Sequence, residues 1–272
     1  MKQPTVTDDA ADNPGKDRNF VTALGRGLEL LRAFGASEEY LGNAELSRRT
    51  GIPRPTVSRL TYTLTLLGYL QHNQHLEKYR LGAGVLALGY RYLANMGIRD
   101  ITRPHLQRLA DATDCNVSLA TADRTSMMYL ETCHGSGPLI MRLEVGSRLP
   151  IATSAIGRAW LCGISAERRQ QVMGELQETH RDDWPRIEAG INKSLTEYEQ
   201  HGFCLSEGDW QREISAVAVP LVLEDGAEVM AINCGGSGLR LTHEILVENL
   251  GPRLIEVTER IQGEFEPARM PR

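Results

Sequence analysis

Residues 42–82 read GNAELSRRTGIPRPTVSRLTYTLTLLGYLQHNQHLEKYRLG, and the spacing of their glycines, prolines and apolar side chains decides the fold of the front of the chain. Asn43 to Thr50 is a short amphipathic stretch with Asn43 in the N-cap place and Gly51 as its stop. After the turn Gly51-Ile52-Pro53, a second helix restarts at Pro55, whose fixed φ suits a first turn. It runs to Leu67, with Val57, Leu60, Leu64 and Leu67 on one face and Gly68 ending it. Then Tyr69, Leu70, Leu76, Tyr79 and Leu81 flank a polar turn around Asn73, the pattern of a two-stranded hairpin. Upstream, Val21, Leu24, Leu28, Leu31 and Phe34 recur at helical spacing and place one more helix ahead of the pair.

Helix, short helix, turn, helix and hairpin in that order predict a winged helix-turn-helix. In that fold the second helix of the pair enters the major groove of double-stranded DNA while its partner braces it across the phosphates. Along the restarted helix, Arg54, Thr56, Ser58, Arg59 and Tyr62 point outward and Val57 and Leu60 inward. Arg59 is the candidate for a base edge, because a guanidinium donates twice to guanine. Arg54 and Thr56 are candidate phosphate clamps beside the free amides of the first turn. Amphipathic helices joined by glycine turns also occur in bundles that bind no nucleic acid, and the hairpin separates the two readings. It carries Lys78 and Arg80, with His72 and His75, where a wing would stroke the minor groove.

The charge follows the same division. The chain of 272 residues is net -5, but residues 18–81 hold nine Lys or Arg against five Asp or Glu, net +4. Residues 82–272 hold nineteen against twenty-six, net -7, so only the front suits a polyanion. His72 and His75 sit three apart on a solvated turn without a third ligand, and no metal site is expected.

Residues 83–97 return to a helical period through Val85, Leu88, Tyr92 and Leu93, a linker helix closed by Gly97 whose apolar face is a candidate interface. Beyond it the pattern predicts an amphipathic helix over Asp100–Thr113, then strands NVSLATA, MMYLETC and LIMRLEV. Helices follow over Ala155–Leu161, Ala166–Leu176 and Trp184–His201. Strands FCLSE, SAVAVPLVL and EVMAINC come next, the last two joined by a turn at Glu224-Asp225-Gly226, before a final helix over Thr242–Gln262. Consecutive strands joined by tight turns, with helices gathered before and after, predict an antiparallel sheet carrying helices: an α+β sensor-like domain. No apolar run approaches the ~18–20 residues that span a bilayer. The first 17 residues, rich in Asp, Asn, Pro and Gly, read as a disordered leader rather than a secretory signal or anchor. Five cysteines without a CxxC pair fit a reducing compartment, so a cytoplasmic protein is expected.

The run LGNAELSRRTGIPRPTVSRLTYTLTLLGYL followed by YRLG resembles the DNA-binding domain of the IclR family of bacterial transcriptional regulators. FVTALGRGLELLRAF is similar to the family's first helix, LALGYRYL to its linker helix, and RDITRPHLQRLADATDCNVSLA to the start of its effector domain. GSRLPIATSAIGRAWL, GFCLSEGDWQREISAVAVP and AINCGGSGLRLT resemble its three pocket-forming segments, and together these matches cover nearly everything from Phe20 to Gln262. The resemblance implies an α+β chain with a winged helix-turn-helix over 18–82, a linker helix over 83–97, a GAF-like antiparallel-sheet effector domain over 98–265 and a tail over 266–272. It further implies a sequence-specific regulator of a catabolic operon that responds to a small organic acid. Homodimers through the DNA-binding domains, and dimers of dimers through the effector domains, are implied as well.

Three segments of the second half read as ligand sites in their own right. Ser154-Ala-Ile-Gly157 opens a helix after Pro150, so its unpaired amides can hold a carboxylate. Ser206 to Arg212 gathers an acid pair, the indole of Trp210 and a guanidinium in one loop. Ala231 to Gly236 places Asn233 on a strand ending in two glycines, where backbone can approach a ligand closely. Each segment also reads as plain structure: a helix cap, an indole packed on a sheet edge, a strand end. The resemblance implicates Ser154, Ala155, Ile156, Ser206, Ala216, Asn233 and Gly235 in the effector cavity, with Met141 and Leu149 as an apolar wall. Some family members carry a cysteine at the position of Ala216 and serines at those of Asn233 and Gly235, so their small keto-acid effectors need not be this chain's. Trp210 and Met141 point instead to an aromatic or larger acid, with Arg142 or Arg212 as carboxylate partner.

Catalytic residues and cofactors are not expected. Cys133 and His134 are neighbours on a strand and face opposite ways, and no G-x-S-x-G elbow, H-E-x-x-H site or glycine-rich phosphate loop occurs. The competing reading is a sensor or enzyme of small organic acids with an unrelated helical N-terminal domain, and a basic wing has no use in it. Operator sequence, effector identity and the sense of regulation stay open at this level.

Overall fold

The computed structural model describes residues 19–35, 38–136, 143–223 and 226–268, and they form two compact units that part between Asn95 and Met96. The N-terminal unit holds α1 (Thr22–Arg32), α2 (Asn43–Thr50), α3 (Arg54–Leu66), the hairpin β1 (Leu70–Asn73) and β2 (Lys78–Leu81), and α4 (Ala83–Ala94). Its core is Leu30, Leu41, Leu46, Ile52 and Val57, flanked by Phe34, Leu60 and Leu64. Burying each such side chain is worth roughly 1.5–3 kcal/mol. Gly51, at φ 69°, ends α2 in the left-handed region and turns Ile52 into that core, and Pro55 lies in the first turn of α3. Leu41 exchanges both backbone hydrogen bonds with Tyr79, at 2.9 and 2.8 Å, which ties the hairpin to the start of α2.

Two expectations fail here for identifiable reasons. Asn43 does not cap α2; Gly42 holds the cap position. The Asn43 side chain reaches across to α3 instead, its Nδ2 donating to Ser58 Oγ at 3.1 Å and its Oδ1 accepting from Thr61 Oγ1 at 3.3 Å. Gly97 does not close the linker helix, which ends at Ala94 with Asn95 as its cap, but opens the next one.

The C-terminal unit begins with α5 (Gly97–Thr113), β3 (Asn116–Asp123), β4 (Ser126–His134) and β5 (Arg148–Pro150). It continues through α6 (Ala155–Gly163), α7 (Ala166–Thr179), α8 (Trp184–His201), β6 (Cys204–Glu207), β7 (Ile214–Leu223) and β8 (Glu228–Ser237). The strands form one antiparallel sheet in the order β5-β4-β3-β8-β7-β6. The last helix is less regular than its sequence period implies. It starts as α9 (His243–Ile245), passes through a π-helical turn at Leu246–Leu250 and runs on as α10 (Gly251–Ala268). The expected strand LIMRLEV is not found where it can be seen: Leu143 to Val145 is irregular, and residues 137–142 lie outside the described residues, as do Glu224 and Asp225. Among the described residues no helix is long and apolar enough to cross a membrane.

One face of the sheet carries α5, whose Arg99 and Arg103 meet the buried Glu131 carboxylate of β4 at 2.7 and 2.5 Å. The other face carries α6, and Ala120, Met127, Tyr129, Ala216, Ala218 and Ala231 pack there with Ile156 and Trp160. A β-bulge divides the two sets. Leu119 pairs with Glu131, but Ala120 pairs with Tyr129, so the extra residue Leu130 turns Tyr129 to the α6 face while Glu131 stays with α5.

Candidate functional site

Arg54, Ser58, Arg59 and Tyr62 of α3 are exposed, and Thr56 is half-buried. Ser58 lies on the α2 flank, held by Asn43, whereas Thr56 and Arg59 border a groove between α1 and α3 that Leu24, Leu28, Leu64 and Leu67 line. Among the described residues no acidic side chain forms an ion pair with Arg54, Arg59 or Lys78. The cations of α2 differ, because Arg49 binds both Glu38 and Glu45 and Arg48 binds Glu45. Those guanidiniums hold the Glu45 carboxyl down to about 2. Arg80 is engaged as well: it meets Glu39 at 3.2 Å and Gln71 at 3.0 Å and lies 5.8 Å from the centroid of the Tyr40 ring.

In the C-terminal unit the three candidate segments converge. Leu149, Ser154, Ala155, Ile156, Ser206, Trp210, Ala216, Asn233 and Gly235 all line one cavity of about 860 Å³, counted out to its open mouth. Met141 and Arg142 lie outside the described residues. Arg212 is exposed and does not line the cavity, and Arg240 does.

The local chemistry follows from the backbone. Ser154 caps α6: its Oγ accepts from the Gly157 amide at 3.2 Å and donates to the Pro150 carbonyl at 2.6 Å. That leaves the amides of Ala155 and Ile156 as the free donors of the first turn, at the positive end of the helix dipole. Gly157 has to be a glycine, since a Cβ there would sit 2.4 Å from the Ile151 backbone. Farther along α6 the guanidinium of Arg158, 4% exposed, donates to Ala152 O and Leu205 O and pairs with Asp209 at 2.6 Å. Asp209 belongs to the loop that carries Trp210 over the cavity, so a buried cation fastens that loop. Gly190 makes room for the guanidinium, at 2.7 Å from a would-be Cβ. On the sheet, Asn233 Nδ2 donates to Tyr129 Oη at 3.2 Å, and burial pushes the Tyr129 phenol up to about 12.

Residues 23–74 match the IclR helix-turn-helix domain, and residues 90–262 match the C-terminal domain of the bacterial transcriptional regulator IclR. The chain belongs to the IclR family. It is therefore a DNA-binding transcriptional regulator and not an enzyme. It is 33% identical over 255 residues to the HTH-type transcriptional regulator TsaQ1/TsaQ2 of Comamonas testosteroni, a match covering 93% of this chain and 91% of that one. A crystal structure of an IclR family transcriptional regulator from Brucella abortus is 43% identical, with a TM-score of 0.86 over 92% of this chain and 94% of the other. An IclR homologue from Microbacterium hydrocarbonoxydans, solved in complex with 4-hydroxybenzoate, shares the fold at 21% identity and a TM-score of 0.69, over 90% and 99% of the two chains.

For this IclR-family chain, reading the sequence missed Tyr129, Ile214 and Arg240 as cavity residues. Ile214 and Arg240 lie inside the quoted segments GFCLSEGDWQREISAVAVP and AINCGGSGLRLT and were within reach. Tyr129 was not, because strict alternation along β4 groups it with Glu131 and Cys133, and only the bulge separates them.

Proposed function

We propose that α3 enters the major groove of operator DNA with Arg59 reading a base edge, Arg54 and Thr56 on phosphates, and Ser58 and Tyr62 beside them. Lys78 is the wing's contact to the minor groove, while Arg80, already bound to Glu39 and Gln71, holds the wing's shape. The winged unit spans 18–82 and the effector domain 98–265, and the protein acts in the cytoplasm on a catabolic operon.

The cavity takes a small organic acid, and the convergence of residues 154–156, 206–216 and 233–235 on one space carries this reading. The acid group sits at the first-turn amides of α6, and the ring packs between Trp210, Leu149 and Ile156. The 4-hydroxybenzoate bound by the Microbacterium homologue supports an aromatic ligand. Calorimetric titration with aromatic and aliphatic acids tests this: an aromatic acid binds with 1:1 stoichiometry per chain, and the absence of heat with every aromatic acid overturns it.

The working unit is a homodimer or a dimer of dimers. Leu24 and Leu28 of α1 are 62% and 51% exposed, and α4, with Arg91 its only charge, buries none of its residues and exposes Leu86 and Tyr90. A single chain has no reason to leave two apolar helix faces open, and reading two half-sites needs two copies of α3. Sedimentation should show a dimer or larger, and Leu86→Glu should lower the mass; a monomer at micromolar concentration contradicts the reading.

A further inference from the structure

The cavity contains a buried polar atom without a partner. Asn233 is 7% exposed and lines the cavity, and its Oδ1 accepts no hydrogen bond among the described residues. Buried polar atoms are paired in the great majority of cases, and leaving one unpaired is unfavourable by the full cost of its desolvation. The Asn233 NH₂ donates to Tyr129 Oη at 3.2 Å, and Ser118, directly across from Asn233 on β3, donates its hydroxyl proton to Thr132 Oγ1 at 3.2 Å. The carbonyl oxygen is thereby the end left for whatever fills the cavity.

Two other polar side chains of the lining are spent within the protein. The Ser154 and Ser206 hydroxyls donate to the carbonyls of Pro150 and Thr153 at 2.6 and 3.1 Å. The amides of Ala155 and Ile156 are committed, in the function proposed above, to the ligand's acid group. We infer that Asn233 selects effectors carrying a hydrogen-bond donor, a hydroxyl or amino group, apart from the acid group. This rests on the reading of the cavity as the site of an organic acid, and it adds the second group that the acid must bear. A site built around a buried acceptor discriminates strongly against analogues that leave it unpaired.

Matched probes test it by calorimetry. Full-length protein is titrated with 4-hydroxybenzoate, 3-hydroxybenzoate and 4-aminobenzoate, which donate, and with benzoate and 4-methoxybenzoate, which do not. At least one donor ligand is expected to bind ~10- to 100-fold more tightly than both non-donors. Asn233→Leu, which keeps the branched four-atom skeleton and removes the acceptor, is expected to bring that ratio close to one. If the leucine variant does not fold, the probe series on the unaltered protein decides alone. Equal binding of 4-methoxybenzoate and the best donor overturns the role of Asn233 and leaves the organic-acid cavity standing. Binding by none of the acids overturns the cavity reading, and this inference with it.

Discussion

The two units solve opposite problems with the same kind of elements. The N-terminal unit keeps a small core and turns its chemistry outward: Arg54, Arg59 and Lys78 without acidic partners among the described residues, and apolar faces of α1 and α4 in the open. The C-terminal unit encloses its chemistry, with Asn233, Tyr129 and the start of α6 around a cavity and Arg158 and Glu131 buried and paired. A polyanion is met by exposed cations, which keep their hydration until contact, whereas a small ligand has to be met by groups already stripped of water and held in place. Substitutions at the free cations of the first unit should therefore act on DNA binding, and those at the buried, paired groups of the second on stability.

The largest effect falls in the enclosed unit. Gly157→Val forces a side chain into the Ile151 backbone, 2.4 Å away at its Cβ, and should destabilise the C-terminal unit by about 3 kcal/mol or more. Thermal unfolding followed by tryptophan fluorescence reports it, since Trp160, Trp184 and Trp210 all lie in that unit. Asp209→Ala leaves the Arg158 guanidinium with two carbonyl acceptors and no counter-charge. Because the Asp209 side chain is 43% exposed, solvent offsets part of the loss, and about 2 kcal/mol in chemical denaturation is expected.

In the open unit the contrast is between a side chain that touches DNA and one that holds the wing. Lys78→Ala should weaken DNA of any sequence by a similar factor and lower the salt slope of log Kd by about one. Arg80→Ala should leave that slope nearly unchanged and loosen the hairpin, as read by amide exchange at Gln71 and Tyr79. Equal slopes for the two variants would remove the distinction between a phosphate contact and a structural ion pair.

The smallest effect is one of pH. Arg48 and Arg49 hold the Glu45 carboxyl down to about 2 from 4.5, so the folded state favours its ionised form. That contribution is complete above about 4.5 and is lost as the pH falls toward 2. Glu38, lowered by Arg49, acts in the same direction. Helical circular dichroism across this range should change less in Glu45→Gln than in the unaltered protein.

What the sequence disclosed divides along the same line. Segments whose role depends on local period and punctuation were legible: Gly51, Pro55 and Gly68 bracket α2 and α3 to within a residue, and the hairpin follows from Asn73 and its apolar flanks. Whether a periodic face is covered was not legible, because Leu24 and Leu28 show the same spacing open or buried. Within the cavity, Ser154, Ser206 and Asn233 were found through motifs, but Tyr129 depends on a bulge that alternation does not encode. Asn43 also misled, since a side chain that suits a cap can equally bond a neighbouring helix, and Ser58 and Thr61 were the nearer partners.

The division between an outward reading surface and an inward sensing cavity is tested most directly by selecting bound duplexes from a randomised pool with the unaltered protein and with Arg59→Ala. The unaltered protein should enrich a two-fold symmetric motif. The variant should keep the same melting temperature and non-specific affinity while losing information at one position of each half-site, at ~1–3 kcal/mol per contact. An identical motif from both proteins, at equal affinity, would contradict the placement of Arg59 and of α3 in the groove.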